Sequence, residues 1–198
     1  MTSWLFVLAA YLIGSVSFAV VVSKLFSLPD PHSYGSGNPG ATNVLRTGNK
    51  AAAALTLVGD GAKGWLAVFL AQTFGPLAGV EPWTLAAVAL AAFVGHLFPV
   101  FHGFKGGKGV ATAAGIMVGI APWLAAAAFG VWLLVAIVFK ISSMASLAAA
   151  VAAPVFAFYF LGNDARAWVF IPIALLLVWR HKGNIQKLLQ GRETSIGR

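Results

Sequence analysis

The sequence predicts an all-α integral membrane protein, a compact bundle of about seven transmembrane helices with the N-terminus outside and the C-terminus in the cytoplasm. Three observations predict it. Of 198 residues, 60% are hydrophobic and only 9% are charged, giving a mean hydropathy of +0.87. A soluble domain carries roughly a quarter charged residues, so this chain lacks the groups to cover itself in water. Its apolar residues fall into long runs rather than into the stripes of an amphipathic helix. The basic residues gather in alternate connections between those runs, the asymmetry that orients a membrane protein.

The runs lie at 3–22, 51–74, 83–101, 110–120, 123–139, 144–161 and 167–179. A span takes roughly 20 apolar residues at about 1.5 Å each. The first run has no basic leader and is too long for a signal-peptide core, so it reads as a retained span. The fourth is short, reaching only ~17 Å, and Pro122 divides it from the fifth. It either crosses or forms half of a re-entrant pair, and both return the chain to the same side. On the seven-span reading, one side holds Lys24, Arg46, Lys50, Lys105, Lys108, Lys140, Arg180, Lys182, Lys187, Arg192 and Arg198. The other holds Arg166 with Glu81 and Asp164. The first side is therefore cytoplasmic. Trp4, Trp83, Trp123, Trp168 and Trp179 stand near run ends as interfacial anchors. Stretches 51–54, 125–128 and 148–153 are rich in alanine, which lets helices approach closely. Residues 1–198 read as a single polytopic domain. Asp60 and Lys63, three apart in the second run, suit a structural ion pair facing the bundle interior.

Three polar clusters share the cytoplasmic side. The first, 33–46, sets Gly35, Gly37 and Gly40 around Pro39, so that successive N–H groups can form an anion-binding nest. Ser36, Asn38, Thr42 and Asn43 add neutral hydrogen-bonding groups, and Arg46 offers a fork for phosphate. In the second, 95–112, Lys105 and Lys108 stand among Gly103, Gly106, Gly107 and Gly109 just before an apolar helix that opens through Thr112. Because Gly109 follows Gly107 and Lys108, this is not a Walker A loop. The third, 179–193, carries Arg180, His181 and Asn184 at helical spacing. Ser142 and Ser143 either cap the sixth helix or reach a ligand.

Together these clusters supply cations and hydrogen bonders, with Glu193 as their one carboxylate. Paired-acid glycosidase chemistry and carboxylate-bound metal hydrolysis lack their parts. With no cysteine, disulfides and thiolate nucleophiles are excluded. The basic residues form no nucleic-acid face, no metal-ligand set is visible, and no cofactor is expected. What remains is neutralising phosphates beside an apolar interior.

The chain resembles the bacterial acyl-phosphate:glycerol-3-phosphate acyltransferase family, usually called PlsY. The likeness rests on 36–43 with Arg46, on Phe98, Pro99, Val100 and Phe101 leading into 104–112, and on Arg180, His181, Asn184, Ile185, Leu188, Gly191 and Glu193. Where members often carry another basic residue near the tail, this chain has Lys187. The resemblance implies acyl transfer from an acyl phosphate to the sn-1 hydroxyl of glycerol 3-phosphate, at the inner membrane of a bacterium and in phospholipid synthesis. It implies that Arg46, Lys105, His181 and Asn184 hold the acceptor phosphate, with Ser143 as a helper. Ser36, Gly37, Asn38, Gly40, Thr42 and Asn43 would hold the donor phosphate, with Lys108 close by and Gly106, Gly107 and Thr112 completing the loop. Membrane lipid surrounds the protein, and a monomer is expected. The base stays open between His102, His181 and the donor's own phosphate; the lack of carboxylates leans towards the last. The residues five after His32, His96, His102 and His181 are Gly37, Phe101, Gly107 and Gln186, so the His/Asp pair of other glycerophosphate acyltransferases is absent. Two rival readings are a phosphate transporter, which would carry labelled glycerol 3-phosphate without a donor, and a lipid-binding scaffold, which would tolerate Arg46→Ala.

Overall fold

In the computed structural model, which describes residues 3–196, every apolar run is helical. Arg198, counted above among the cytoplasmic cations, lies outside the described residues. The first run divides into α1 (Ser3–Gly14) and α2 (Phe18–Leu25), bent by 42°. A short α3 (Ala41–Leu45) precedes α4 (Lys50–Phe74), and α5 (Pro82–Leu97) leads into a 3-10 turn, Val100–His102. Then come α6 (Val110–Ile120), α7 (Pro122–Phe139), α8 (Ser142–Leu161), the single turn α9 (Ala165–Trp168), α10 (Phe170–Arg180) and α11 (Lys182–Leu189). The chain is a multi-pass membrane protein built of helices. By length and composition, α4, α5 with its 3-10 turn, α7 and α8 each suffice to cross, and α1 with α2 makes a fifth span if counted as one. Helix α6, at 11 residues, is shorter than a comfortable span, as its sequence predicts.

Small residues set the packing. The Gly64 Cα faces the Thr112 carbonyl so closely that an added Cβ would stand 2.4 Å from its oxygen, and one on Gly115 would stand 1.8 Å from the Gly61 oxygen. Further along, Gly119 meets Val68. Gly61 also lies beside Ala111, and from there to Val68 beside Gly119 the contacts advance along both helices, so α4 and α6 run parallel and α6 begins level with the middle of α4. The loop before α6 is therefore drawn into the bundle, well below the α4 N-terminus. Without water between helices, such close backbone approach supplies the van der Waals contact that holds the bundle.

The break in the first run has a chemical cause. Ser15 Oγ donates back to the Tyr11 carbonyl at 2.8 Å, a bond that bends helices. Released from the helical ladder, the Val16 carbonyl accepts from Lys63 Nζ at 2.6 Å. That ammonium also pairs with Asp60 at 2.8 Å, both side chains being almost wholly buried. The ion pair thus faces the bundle interior and closes on a freed backbone oxygen. The five tryptophans near the run ends are all exposed, as interfacial anchors must be.

Candidate active site

The connections sort onto two ends of the bundle. At one end the turns after α4 and α8 approach each other, where Pro76, Glu81 and Arg166 share a small cleft. At the other, the three polar clusters converge on an open cavity of about 570 Å³ walled by Ser36, Gly37, Asn38, Lys105, Lys108 and Asn184, among others.

The first loop is wound around Asn43. Its Oδ1 accepts from the Ser36 amide at 3.0 Å and the Ser36 hydroxyl at 3.2 Å, while Nδ2 donates to the Pro31 and Tyr34 carbonyls. Gly35 and Gly37 take positive φ of 59° and 64°, the left-handed turns that let the chain circle one side chain. Gly40 is extended, at φ −158°, where any residue fits. This alters the expected nest: the Ser36 amide is engaged by Asn43, and the Gly37 amide donates to the Tyr34 carbonyl. Asn43, buried and with both amide atoms engaged, organises the loop. Gly40 and Thr42 are not among the cavity's wall residues, and Thr42 is exposed.

The second loop rests on the first and third. An added Cβ on Gly107 would stand 2.2 Å from His96 Nε2 and 3.0 Å from the Pro39 carbonyl oxygen, so glycine is required where these backbones meet. The Gly107 amide donates to the His96 carbonyl at 3.1 Å. Arg180 lays its fork across the loop, Nε donating to the Gly107 carbonyl at 3.0 Å and Nη2 to the Gly106 carbonyl at 2.5 Å. The sequence sets it with His181 and Asn184 at helical spacing but assigns it no role of its own. His32 ties the loop from the other side, with Nε2 3.0 Å from the Lys105 carbonyl oxygen. Thr112 lies outside the cavity, fully buried in the α4–α6 seam.

Lys108 Nζ donates to Asn184 Oδ1 at 2.5 Å. Asn184 Nδ2 donates to Glu193 Oε1 at 2.7 Å, and the same oxygen accepts from Ser143 at 2.9 Å. Glu193 thus joins two residues expected at the site, a link that spacing alone does not reveal. Burial lowers the Lys108 pKa, which Glu193 opposes and the charges of Lys187, Arg180 and Arg46 reinforce. His181 is 2% exposed, and its pKa is lowered to about 4, chiefly by burial. Its Nδ1 lies 2.8 Å from the Leu177 carbonyl, an acceptor, which sets the proton on Nδ1 and leaves Nε2 as the ring's acceptor. Arg46 is exposed and lies against Gly35 at the rim rather than in the wall. Neither it nor Lys105 makes a side-chain hydrogen bond or ion pair among the described residues. His181 and Ser143, both buried, are not among the wall residues; the cavity presents cations and a glycine loop with fixed backbone, a set suited to phosphate groups.

Comparison with known proteins agrees with this geometry. The family model described as glycerol-3-phosphate acyltransferase matches residues 4–191. The chain is 62% identical over 197 residues to a glycerol-3-phosphate acyltransferase of Cupriavidus pinatubonensis, covering 100% of this chain and 98% of the relative. It is 60% identical over 197 residues to the protein of that name from Chromobacterium violaceum, at 99% and 96% coverage. Among solved structures it is similar to PlsY (YgiH), an integral membrane glycerol 3-phosphate acyltransferase, in its glycerol 3-phosphate form, with TM-score 0.91, 38% identity and 100% and 96% coverage. The lysophosphatidic acid form gives TM-score 0.89 at 37% identity, with the same coverage.

Proposed function

The chain belongs to the glycerol-3-phosphate acyltransferase family, and from that premise we propose that it moves a fatty acyl group from an acyl phosphate to the sn-1 hydroxyl of glycerol 3-phosphate. The reaction takes place at the cytoplasmic face of the bacterial inner membrane. The observation that carries this reading is one cavity walled by two glycine loops and several unpaired cations, set into the end of an apolar bundle.

Its chemistry follows from those groups. Lys105, Asn184, His181 and Ser143, with Arg46 at the rim, hold the acceptor phosphate. Ser36, Gly37 and Asn38, with Lys108, hold the donor phosphate; Gly40, Thr42 and Asn43 shape that loop, and Gly106, Gly107 and Thr112 belong to the loop and seam beneath. The sn-1 oxygen adds to the acyl carbon, and the bond from that carbon to the phosphate oxygen breaks. The hydroxyl proton leaves with inorganic phosphate. An acyl phosphate is already activated, so aligning two anions and neutralising their repulsion supplies the acceleration. With its pKa lowered to about 4, His181 is a weak base near neutrality, where an efficient general base has a pKa near the working pH. The donor's phosphate oxygen takes the proton, and His181 binds.

Phosphate release from palmitoyl phosphate by the purified protein, with and without glycerol 3-phosphate, tests the reaction. Acceptor-dependent release with matching lysophosphatidic acid supports it; release that ignores the acceptor refutes it. His181→Gln separates the roles. A raised acceptor KM with kcat kept fits binding, and turnover abolished at saturation makes His181 the base.

A further inference from the structure

We infer that His32 is a positioning residue, a protonation-dependent latch that fixes the Lys105 backbone for the acceptor phosphate. The inference rests on the reading above that Lys105 serves that phosphate. Both ring nitrogens of His32 face acceptors: Nδ1 lies 2.7 Å from Asp30 Oδ1, and Nε2 lies 3.0 Å from the Lys105 carbonyl oxygen. A neutral imidazole carries one N–H and one lone pair, so it can donate to only one of them. The imidazolium donates to both. Only the charged form closes the bridge from the first loop to the second.

The surroundings support a bridge with that charge. Asp30 is held in place, since its Oδ1 also accepts the His32 amide at 2.9 Å and its carbonyl accepts from Ser33 Oγ at 2.7 Å. Other charges act against it: Lys24 on α2, His102 on the 3-10 turn and Lys105 itself lie near, and Lys108, Arg180, Lys182 and Lys187 wall the same cavity. Asp30 is the one carboxylate bonded to the ring. When the proton leaves, the bond to the carboxylate is the stronger one to keep, and the Nε2 lone pair then opposes the Lys105 carbonyl oxygen. Phe104, at a positive φ of 60°, and Gly103, at 58°, precede this carbonyl; the turn's own bonds run back to the Pro99 and His102 carbonyls, and His32 is the partner of the Lys105 carbonyl among the described residues. Loss of the ring proton therefore loosens Lys105 and weakens acceptor binding.

The test compares the full-length enzyme with His32→Arg, which offers donors to both acceptors at every pH, and His32→Gln, which cannot. Acceptor KM and kcat are measured with palmitoyl phosphate between pH 6 and pH 8. Glycerol 3-phosphate itself titrates near pH ~6, and every variant shares that effect. His32→Gln should raise the acceptor KM roughly threefold to tenfold at pH 6, the loss of one charge-assisted bond partly transmitted, with kcat kept. His32→Arg should keep KM at the parent's pH 6 value, since its guanidinium reaches both acceptors. A His32→Gln enzyme matching the parent at pH 6, or a His32→Arg enzyme whose KM rises as that of His32→Gln does, overturns the inference. Amide exchange across 100–109 at one pH reads the latch without turnover. Faster exchange in His32→Gln than in the parent is expected, and equal exchange refutes the latch even if these substrates prove wrong. A parent enzyme that makes no product at any pH refutes the proposed reaction instead.

Discussion

Replacing Arg180 by alanine removes the clamp across the second loop, and its cost can be worked from two bonds. The guanidinium donates to the consecutive carbonyls of Gly106 and Gly107. A hydrogen bond from a charged donor contributes roughly 1.5–3 kcal/mol, and for a half-buried side chain the lower figure applies to each. The pair then contributes about 3 kcal/mol to the loop geometry that aims Lys105 and Lys108. If that geometry matters in the transition state, kcat/KM falls about a hundredfold, at roughly 1.4 kcal/mol per tenfold. Lysine keeps the charge but not the fork, so Arg180→Lys reaches one carbonyl and loses about tenfold. Initial rates of lysophosphatidic acid formation with acceptor varied measure both, with thermal unfolding in detergent as the folding control. An Arg180→Ala enzyme within threefold of the parent would refute the clamp. An Arg180→Lys enzyme equal to the parent would show that only the charge counts.

Three more perturbations bear on the frame around the site. Asn43→Asp is isosteric but turns a buried donor into an acceptor facing the Pro31 and Tyr34 carbonyls, so loop and activity should be lost at a cost of about 3 kcal/mol or more, read by thermal unfolding and turnover. Gly115→Val drives a side chain into the Gly61 backbone, which cannot move aside as a rotamer would, and should abolish a monodisperse folded peak in size exclusion. His181, with its pKa lowered in the folded protein, stabilises it fully above the unfolded histidine value and loses that contribution as pH falls from about 6.5 towards about 4. The loss amounts to roughly 3 kcal/mol, and thermal melts of ligand-free protein should show an acid-side slope that His181→Gln flattens.

The membrane architecture was legible because it depends on composition over long windows. Seven apolar runs became helices, and alanine and glycine pointed to the close seams seen at Gly64 and Gly115. The three clusters were legible as a group because their loops fall on one side of the spans, and residues of all three wall one cavity. What the residue string concealed was which polar groups face each other. Asn43 and Thr42 are equivalent donors and acceptors in a list, yet one is buried at the centre of a loop and the other is exposed. Thr112 continues the Lys108 motif, but one turn into α6 its direction is set by packing on Gly64. The structural use of Arg180 and His32 rests on backbone carbonyls 73 residues away in each case, and no local pattern marks a carbonyl as a partner. The α1–α2 break was missed because Ser15 and Ser17 barely dent the apolar average that defines a run.

The contrast between the bundle interior and its loop-bearing end explains why the site belongs where it is. Deep in an apolar medium an unpaired polar group costs several kcal/mol, so Lys63, Asp60 and the Val16 carbonyl close on one another. At the end of the bundle that economy is relaxed. Glu193 holds Ser143 and Asn184 and makes no ion pair with a lysine or arginine among the described residues. Lys105 and Lys187 remain without side-chain partners among the described residues, while Lys108, half withdrawn from water, has only a neutral amide as its hydrogen-bond partner. Several like charges around one cavity repel each other, and burial sharpens that repulsion. A fold that pairs its buried Lys63 and Asp60 yet leaves this excess at one end suits something that arrives with negative charge. Two phosphates, one on each substrate, would relieve it together, whereas a single permeating anion would leave much of it standing.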